Sequence, residues 1–325
     1  MKVVVIGLGS MGKRRIRLIK KIDELITIVG VDGNTERCKE AAILYGVETF
    51  SSISEASTID GITCAFVCTS PLSHANIIEE CLKNSWNVFT ELNLVADKYA
   101  ENIKLAKENN CTLFLSSTFF YREEITYIRK QIKNKSNLNY IYHIGQYLPD
   151  WHPWENYKDF FVGNTRTNGC REIMAIELPW LSEAFGKVND FTVVSDKMSE
   201  LGIAYNDNYM IQLTHENGNK GMLIVDVVCP KAVRNLEVYG ENLYLGWNGN
   251  PTSLIEFNPE SKETKNVELY STIEQLEGYS SFVVENAYQN EIQEFFAVVA
   301  GETEQQYGFE KDIEILKLID RIEGI

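Results

Sequence analysis

Gly7, Gly9 and Gly12 stand at the spacing of a backbone loop that cradles a diphosphate. Gly7 permits a tight turn, Gly9 lets a phosphate approach the main chain, and Gly12 lets a helix pack closely on a strand. The N–H groups of Ser10 and Met11 then sit at a helix N-terminus, where negative charge is favoured. Asp32, 20 residues beyond Gly12, has the position of a carboxylate that grips a ribose diol. Together these residues predict dinucleotide binding. Asp32 would repel a 2′-phosphate, so NAD is expected rather than NADP, and Lys13, Arg14 and Arg15 read as a solvated helix face.

That chemistry needs a strand before the glycines and a helix after them, and the sequence provides both. Lys2 to Ile6 is an apolar run that ends in Gly7, and a helical pattern follows. Further apolar runs at 26–31, 47–50, 62–67, 86–90 and 111–115 alternate with helical stretches at 35–45 and 99–107 and with one opening at Thr69-Ser70-Pro71. This is the rhythm of a parallel sheet with helices on both faces. Beyond a helix at 123–133 the pattern turns to longer β runs at 139–147, 191–198, 208–215, 221–229, 234–239 and 242–247. A helix at about 171–185 interrupts them, and two more at about 281–299 and 310–323 close the chain. The expected fold class is α/β. A Rossmann dinucleotide-binding domain over 1–120 precedes an α+β domain over 121–325, which has a large, mainly antiparallel sheet for substrate binding and oligomerisation. The last helices are expected to pack back on the first domain. Met222 to Val228 is apolar on both faces, which predicts either cover by helices of the same chain or a homo-oligomer interface.

Composition narrows the partners. The chain has 325 residues and a formal net charge of −15, which disfavours a nucleic-acid backbone. No run approaches the ~18 apolar residues of a membrane span, and the first apolar run is the first strand, not a leader. The seven cysteines are an odd number without CxxC pairs. They read as reduced thiols of a cytoplasmic protein, and no metal site is expected.

The order of these pieces resembles the glucose–fructose oxidoreductase / inositol dehydrogenase (Gfo/Idh/MocA) family over essentially the whole chain. The resemblance rests on Gly7 to Gly12, Asp32, Val67 to His74, Thr90 to Leu94 and Val233 to Gly240. It implies that Thr69, Ser70, Pro71 and His74 line the nicotinamide side of the cofactor. It also implies that Glu91 contacts the nicotinamide ribose and that Asn93 stands in the same turn. The family's catalytic lysine falls on Leu92. Its Asp and His, aligned from Gly169, fall on Ile173 and Glu177. Leucine and isoleucine exchange no proton with a hydroxyl, so another group has to move it.

Four residues are candidates for that step. Glu177 occupies the family's histidine position in apolar surroundings that would raise a carboxyl pKa. Glu172 projects about one turn earlier on the same helix. His152 and Tyr121 follow. Trp151, His152 and Trp154, on a loop stiffened by two prolines, suit the apolar face and hydroxyls of a sugar ring. Arg166 and Arg171 suit a carboxylate or phosphate, and point to an acidic or nucleotide-activated sugar. Pro179 should free the carbonyl of Ala175 and bend the helix. The expected activity is NAD-dependent oxidation or reduction of a sugar derivative. Two alternatives stay open: a non-catalytic NAD- and sugar-binding sensor or partner subunit, and elimination or glycoside hydrolysis through transient oxidation.

Overall fold

The computed structural model describes residues 1–153, 155–275 and 282–325. The chain divides into two compact units, one of residues 1–118 and 288–317, the other of residues 119–287 and 318–325.

The first unit is built on β1 (Lys2–Ile6), β2 (Thr27–Val31), β3 (Glu48–Phe50), β4 (Ile62–Val67), β5 (Asn87–Thr90) and β6 (Leu113–Leu115). All pair in parallel, in the order β3-β2-β1-β4-β5-β6. Chain direction across the sheet reverses beside β1, and the loop after such a strand is where ligands of doubly wound sheets bind. Both faces of β1 and β4 are buried because helices cover them: α1 (Ser10–Ile22), α2 (Thr35–Tyr45), the short α3 (Ile53–Ala56), α4 (Pro71–Lys83) and α5 (Tyr99–Glu108). Local signals set the helix ends. Asn34 caps α2 by accepting from the N–H groups of Glu36 and Arg37, Gly46 ends it in the left-handed region, and Pro71 opens α4. An aromatic core of Phe66, Phe89 and Phe114 stacks at 4.9 and 5.3 Å, and Phe295 meets these rings edge-on.

The second unit contains α6 (Glu123–Ile132), β7 (Asn139–Gly145), α7 (Gly169–Phe185), β8 (Val188–Asp196), β9 (Asn208–His215), β10 (Lys220–Asp226), β11 (Val233–Gly240), β12 (Leu243–Trp247), β13 (Ile255–Phe257) and β14 (Thr264–Asn266). The strands form one sheet in the order β14-β13-β12-β11-β7-β10-β9-β8, antiparallel except where β7 meets β10. Strict alternation in β9 buries Tyr209, Ile211 and Leu213 on one face. The other face exposes Val194, Met210, Met222 and Ile141; Val194 pairs with Met210 and Met222 with Ile141, the two pairs offset by two residues along the strands. Met222 is therefore not covered by the described helices of its own chain. Two helices complete the chain, α8 (Glu285–Val299) and α9 (Phe309–Glu323), and the boundary between units falls within each. β13 and β14 were not expected from the sequence, and β6 is shorter than the apolar run that suggested it.

Candidate functional site

The glycine loop has the geometry its sequence demands. Gly7 lies at φ +90°, where a side chain would be strained, and a Cβ there would stand 2.7 Å from the carbonyl oxygen of Cys68. A Cβ on Gly12 would stand 1.9 Å from the carbonyl oxygen of Gly7, so only glycine lets α1 start so close to β1. Nothing lies within 4 Å of the Cβ position of Gly9, so the backbone there is open to an incoming group. Ser10 and Met11 form the first turn of α1. Asp32 follows β2 and reaches back to this loop, with Oδ2 accepting from the Leu8 N–H at 2.8 Å and Oδ1 from the Asn34 N–H at 2.8 Å. An open cradle beside a carboxylate with acceptor capacity to spare fits a dinucleotide.

Behind the loop lies a charge network. Arg15 is fully buried, not solvated as its neighbours suggested. Its Nε and Nη2 grip Glu91 at 2.6 and 3.0 Å, and Nη2 also reaches Glu291 at 2.9 Å. Glu291 further accepts from the Ser116 hydroxyl and the Ser117 N–H. Burial raises the Glu291 carboxyl against the pull of Arg15. Glu91 is thus held by an arginine of the phosphate-loop helix. The spacing of Arg15 to Leu18 and Ile19, one helical turn on, was the signal that it belongs to the buried face.

The turn after β4 is equally committed. Thr69 accepts from the Ser73 hydroxyl at 2.8 Å, and Ser70 precedes Pro71 as the N-cap of α4. His74 is buried, with Nδ1 2.6 Å from Asn93 Oδ1 and Nε2 2.9 Å from the Thr69 carbonyl oxygen. Burial pulls its pKa down. His74 therefore fastens the Thr69 turn to Asn93 and has no free ring nitrogen.

In the second unit the sequence candidates separate. Glu177 is fully buried and accepts from the Tyr142 hydroxyl at 2.8 Å, from Trp180 Nε1 at 2.7 Å and from Arg234 Nη1. A carboxylate bound by three donors is an anchor, so the expectation that Glu177 transfers the proton is corrected. Arg171 is likewise buried and bound to Glu323 and, at 2.6 Å, to Asp320. That corrects its assignment to substrate, because its charge is already met on α9. Arg166 is exposed in a short 3-10 turn. His152 packs against Phe160 with tilted rings 4.4 Å apart and has Nδ1 3.4 Å from Glu155. Trp151 donates Nε1 to the Gln146 carbonyl at 3.1 Å and packs against Gly169. Trp154 lies outside the described residues. Tyr121 is half-buried at the end of a 3-10 turn. Pro179 sits inside α7, which continues unbroken through it to Phe185.

Glu172 differs from all of these. It lies in the first turn of α7, whose N-cap Asn168 accepts from the Arg171 N–H. Its Oε2 is sealed from solvent, and among the described residues it has no hydrogen-bond partner. Burial pushes its carboxyl up to about 8. Such a group carries a proton near neutrality and can release it. Among the described residues of this unit, Arg234, not singled out from the sequence, also carries an unmet polar atom, its buried Nε.

Residues 1–117 match the model of a family described as "Oxidoreductase family, NAD-binding Rossmann fold". Over 136 residues the chain is 24% identical to 4-carboxy-2-hydroxymuconate-6-semialdehyde dehydrogenase from Sphingobium sp. (strain NBRC 103272 / SYK-6), a match covering 41% of this chain and 43% of that relative. The chain thus aligns with less than half the length of that curated relative. The solved structure of UDP-N-acetylglucosamine 3-dehydrogenase GnnA from Acidithiobacillus ferrooxidans superposes with TM-score 0.78 at 16% identity, over 100% of this chain and 97% of the other. Levoglucosan dehydrogenase in complex with NADH and levoglucosan gives TM-score 0.80 at 16% identity, over 100% and 96%. At such identities the likeness is one of fold.

Proposed function

We propose, from the match of residues 1–117 to the model of the Gfo/Idh/MocA oxidoreductases with their NAD-binding Rossmann fold, that this protein is an NAD-dependent dehydrogenase or reductase acting on a hydroxyl of a sugar or sugar derivative. The observation that carries the proposal is the glycine loop. Gly12 cannot bear a Cβ, Gly9 is open, and Asp32 turns back toward the loop. The dehydrogenase activities named for similar proteins support the reaction class.

NAD, when bound, accepts a hydride from the carbinol carbon or returns it to a carbonyl. The chain's own work is to hold the diphosphate at the N-terminal N–H groups of α1, to orient the adenosine ribose with Asp32 and to move one proton. Leu92 cannot move it, and Glu177 is committed to Arg234. Glu172 is the group we assign to this step, since its carboxyl, with Oε2 buried and unpartnered, can bind and release a proton near neutral pH.

The open sheet face is assigned to a second copy of the chain, and the seven unpaired thiols fit a reducing, cytoplasmic setting. A ligand-binding role without turnover is the second reading, favoured by the apolar residues at positions 92 and 173. Purified protein with NAD and a panel of sugars, sugar acids and nucleotide sugars decides between them. Absorbance of the reduced nicotinamide should rise with at least one compound. Calorimetric binding of NAD without any absorbance change would select the second reading, and no heat with NAD would remove both.

A further inference from the structure

Arg234 occupies the second position of β11. Its Nη1 is spent, donating to Glu177 and, at 3.2 Å, to the Tyr142 hydroxyl. The guanidinium lies 4.4 Å over the ring of Phe119. Backbone crosses its stem, because a Cβ on Gly249 would stand 2.8 Å from Arg234 Cβ. Glu177 is in turn oriented by Tyr142 and Trp180. Burial works against the charge of Arg234, yet Glu177 more than offsets it, so the group stays cationic.

The opposite edge of the guanidinium is unused. Nε is buried without a hydrogen-bond partner, and Nη2 meets no acceptor among the described residues. Nε–H and Nη2–H point the same way along one edge, and they match the two oxygens of a carboxylate or phosphate. A buried charged donor left unmet is costly and rare. Here the other side of the group is fixed by three neighbours, so the idle edge is pre-oriented and loses little freedom on binding.

We propose that the Nε/Nη2 edge of Arg234 binds the anionic group of the substrate, a carboxylate or a phosphate on the sugar. This rests on the sugar-oxidoreductase reading for the word substrate, although the site itself belongs to the second unit alone. It replaces Arg171, whose charge is already met.

The test is an NMR titration of the intact protein, labelled with nitrogen-15 at arginine. A buried Nε–H exchanges slowly and gives its own resonance, assigned through Arg234→Lys. Four probes are added in turn: glucuronate, glucose 1-phosphate, UDP-glucose and uncharged glucose. The resonance should move with glucuronate if the natural group is a carboxylate, or with the two phosphate compounds if it is a phosphate, and it should stay with glucose. Arg234→Lys, checked by circular dichroism, should raise the KM for an anionic substrate about tenfold or more and leave NAD affinity unchanged. A resonance that no anion moves, or that glucose moves equally, overturns the proposal and leaves water as the partner of Nε. Turnover of neutral sugars alone also overturns it while the oxidoreductase reading stands. Movement with an anion but no turnover of any compound upholds the site and removes that reading instead. Should Arg234→Lys misfold, the wild-type resonance is assigned instead from its through-space contacts to the Phe119 ring, which lies 4.4 Å from the guanidinium, and the titration still decides.

Discussion

At the residue scale, Glu172 links stability to chemistry through one proton. Its carboxyl is raised by burial from 4.5 to about 8. Between those pH values the folded chain holds the proton and the unfolded chain has lost it. Stability from this group is therefore complete below about pH 4.5 and falls as pH rises to about 8, by at most ~1.4 kcal/mol per pH unit. Glu172→Gln removes the slope. In denaturant titrations at pH 5 and pH 8, the variant should gain on the wild type as pH rises. In turnover it should lose about 100-fold or more of kcat with NAD affinity intact. An unchanged kcat, with the stability gain present, would mark Glu172 as a buried carboxyl of no catalytic use. Gly12 gives a second residue-scale expectation. A Cβ there has nowhere to go, since the Gly7 carbonyl oxygen would be 1.9 Å away. Gly12→Ala should cost about 3 kcal/mol and abolish NAD binding by calorimetry, whereas Gly9→Ala, which meets nothing in the protein, should weaken NAD binding while leaving the melting temperature nearly unchanged.

At the element scale, α1, β5 and α8 are joined through Arg15, Glu91 and Glu291. Arg15→Met would leave two carboxylates facing each other without their cation, one of them fully buried. That should cost about 3–5 kcal/mol. The loss should shrink on acidification, because burial already raises Glu291 and protonation relieves it. Melting curves of the variant from pH 5 to pH 8 test this, and a pH-independent loss would mean that packing of the guanidinium, not its charge, matters. The same pairs show why part of the site was legible in the sequence and part was not. The loop from Gly7 to Gly12 and the acid at position 32 are local, so spacing alone reveals their roles. Arg15 with Glu91 and Glu177 with Arg234 are 76 and 57 residues apart, and no periodicity announces who meets whom. Glu177 looked like a free acid because its apolar neighbours are local, whereas two of its three donors, Tyr142 and Arg234, are distant in sequence. Strands β1 and β4 were evident from buried runs. β13 and β14 were missed because three half-buried or exposed residues each carry no pattern.

At the scale of the whole molecule, the eight-stranded sheet has one face packed by its own unit and one that, among the described residues, carries exposed apolar side chains. Val194, Met210, Met222 and Ile141 are 71%, 50%, 39% and 43% exposed and form two neighbouring cross-strand pairs on this face, Val194 with Met210 and Met222 with Ile141. A flat apolar patch of this kind is unfavourable on a monomer. The second copy proposed above would offer the same surface and close it about a two-fold axis. The chain's net charge of −15 opposes self-association at long range, so apolar contact has to supply the attraction, and added salt should tighten the dimer by screening that repulsion. Light scattering after gel filtration should give twice the mass of the chain. Met210→Lys combined with Met222→Lys should give the single mass with an unchanged far-ultraviolet spectrum, since neither side chain is part of the packed face. A wild-type monomer at tens of micromolar in high salt would sink the dimer, and a double variant that stays dimeric would move the interface to another surface.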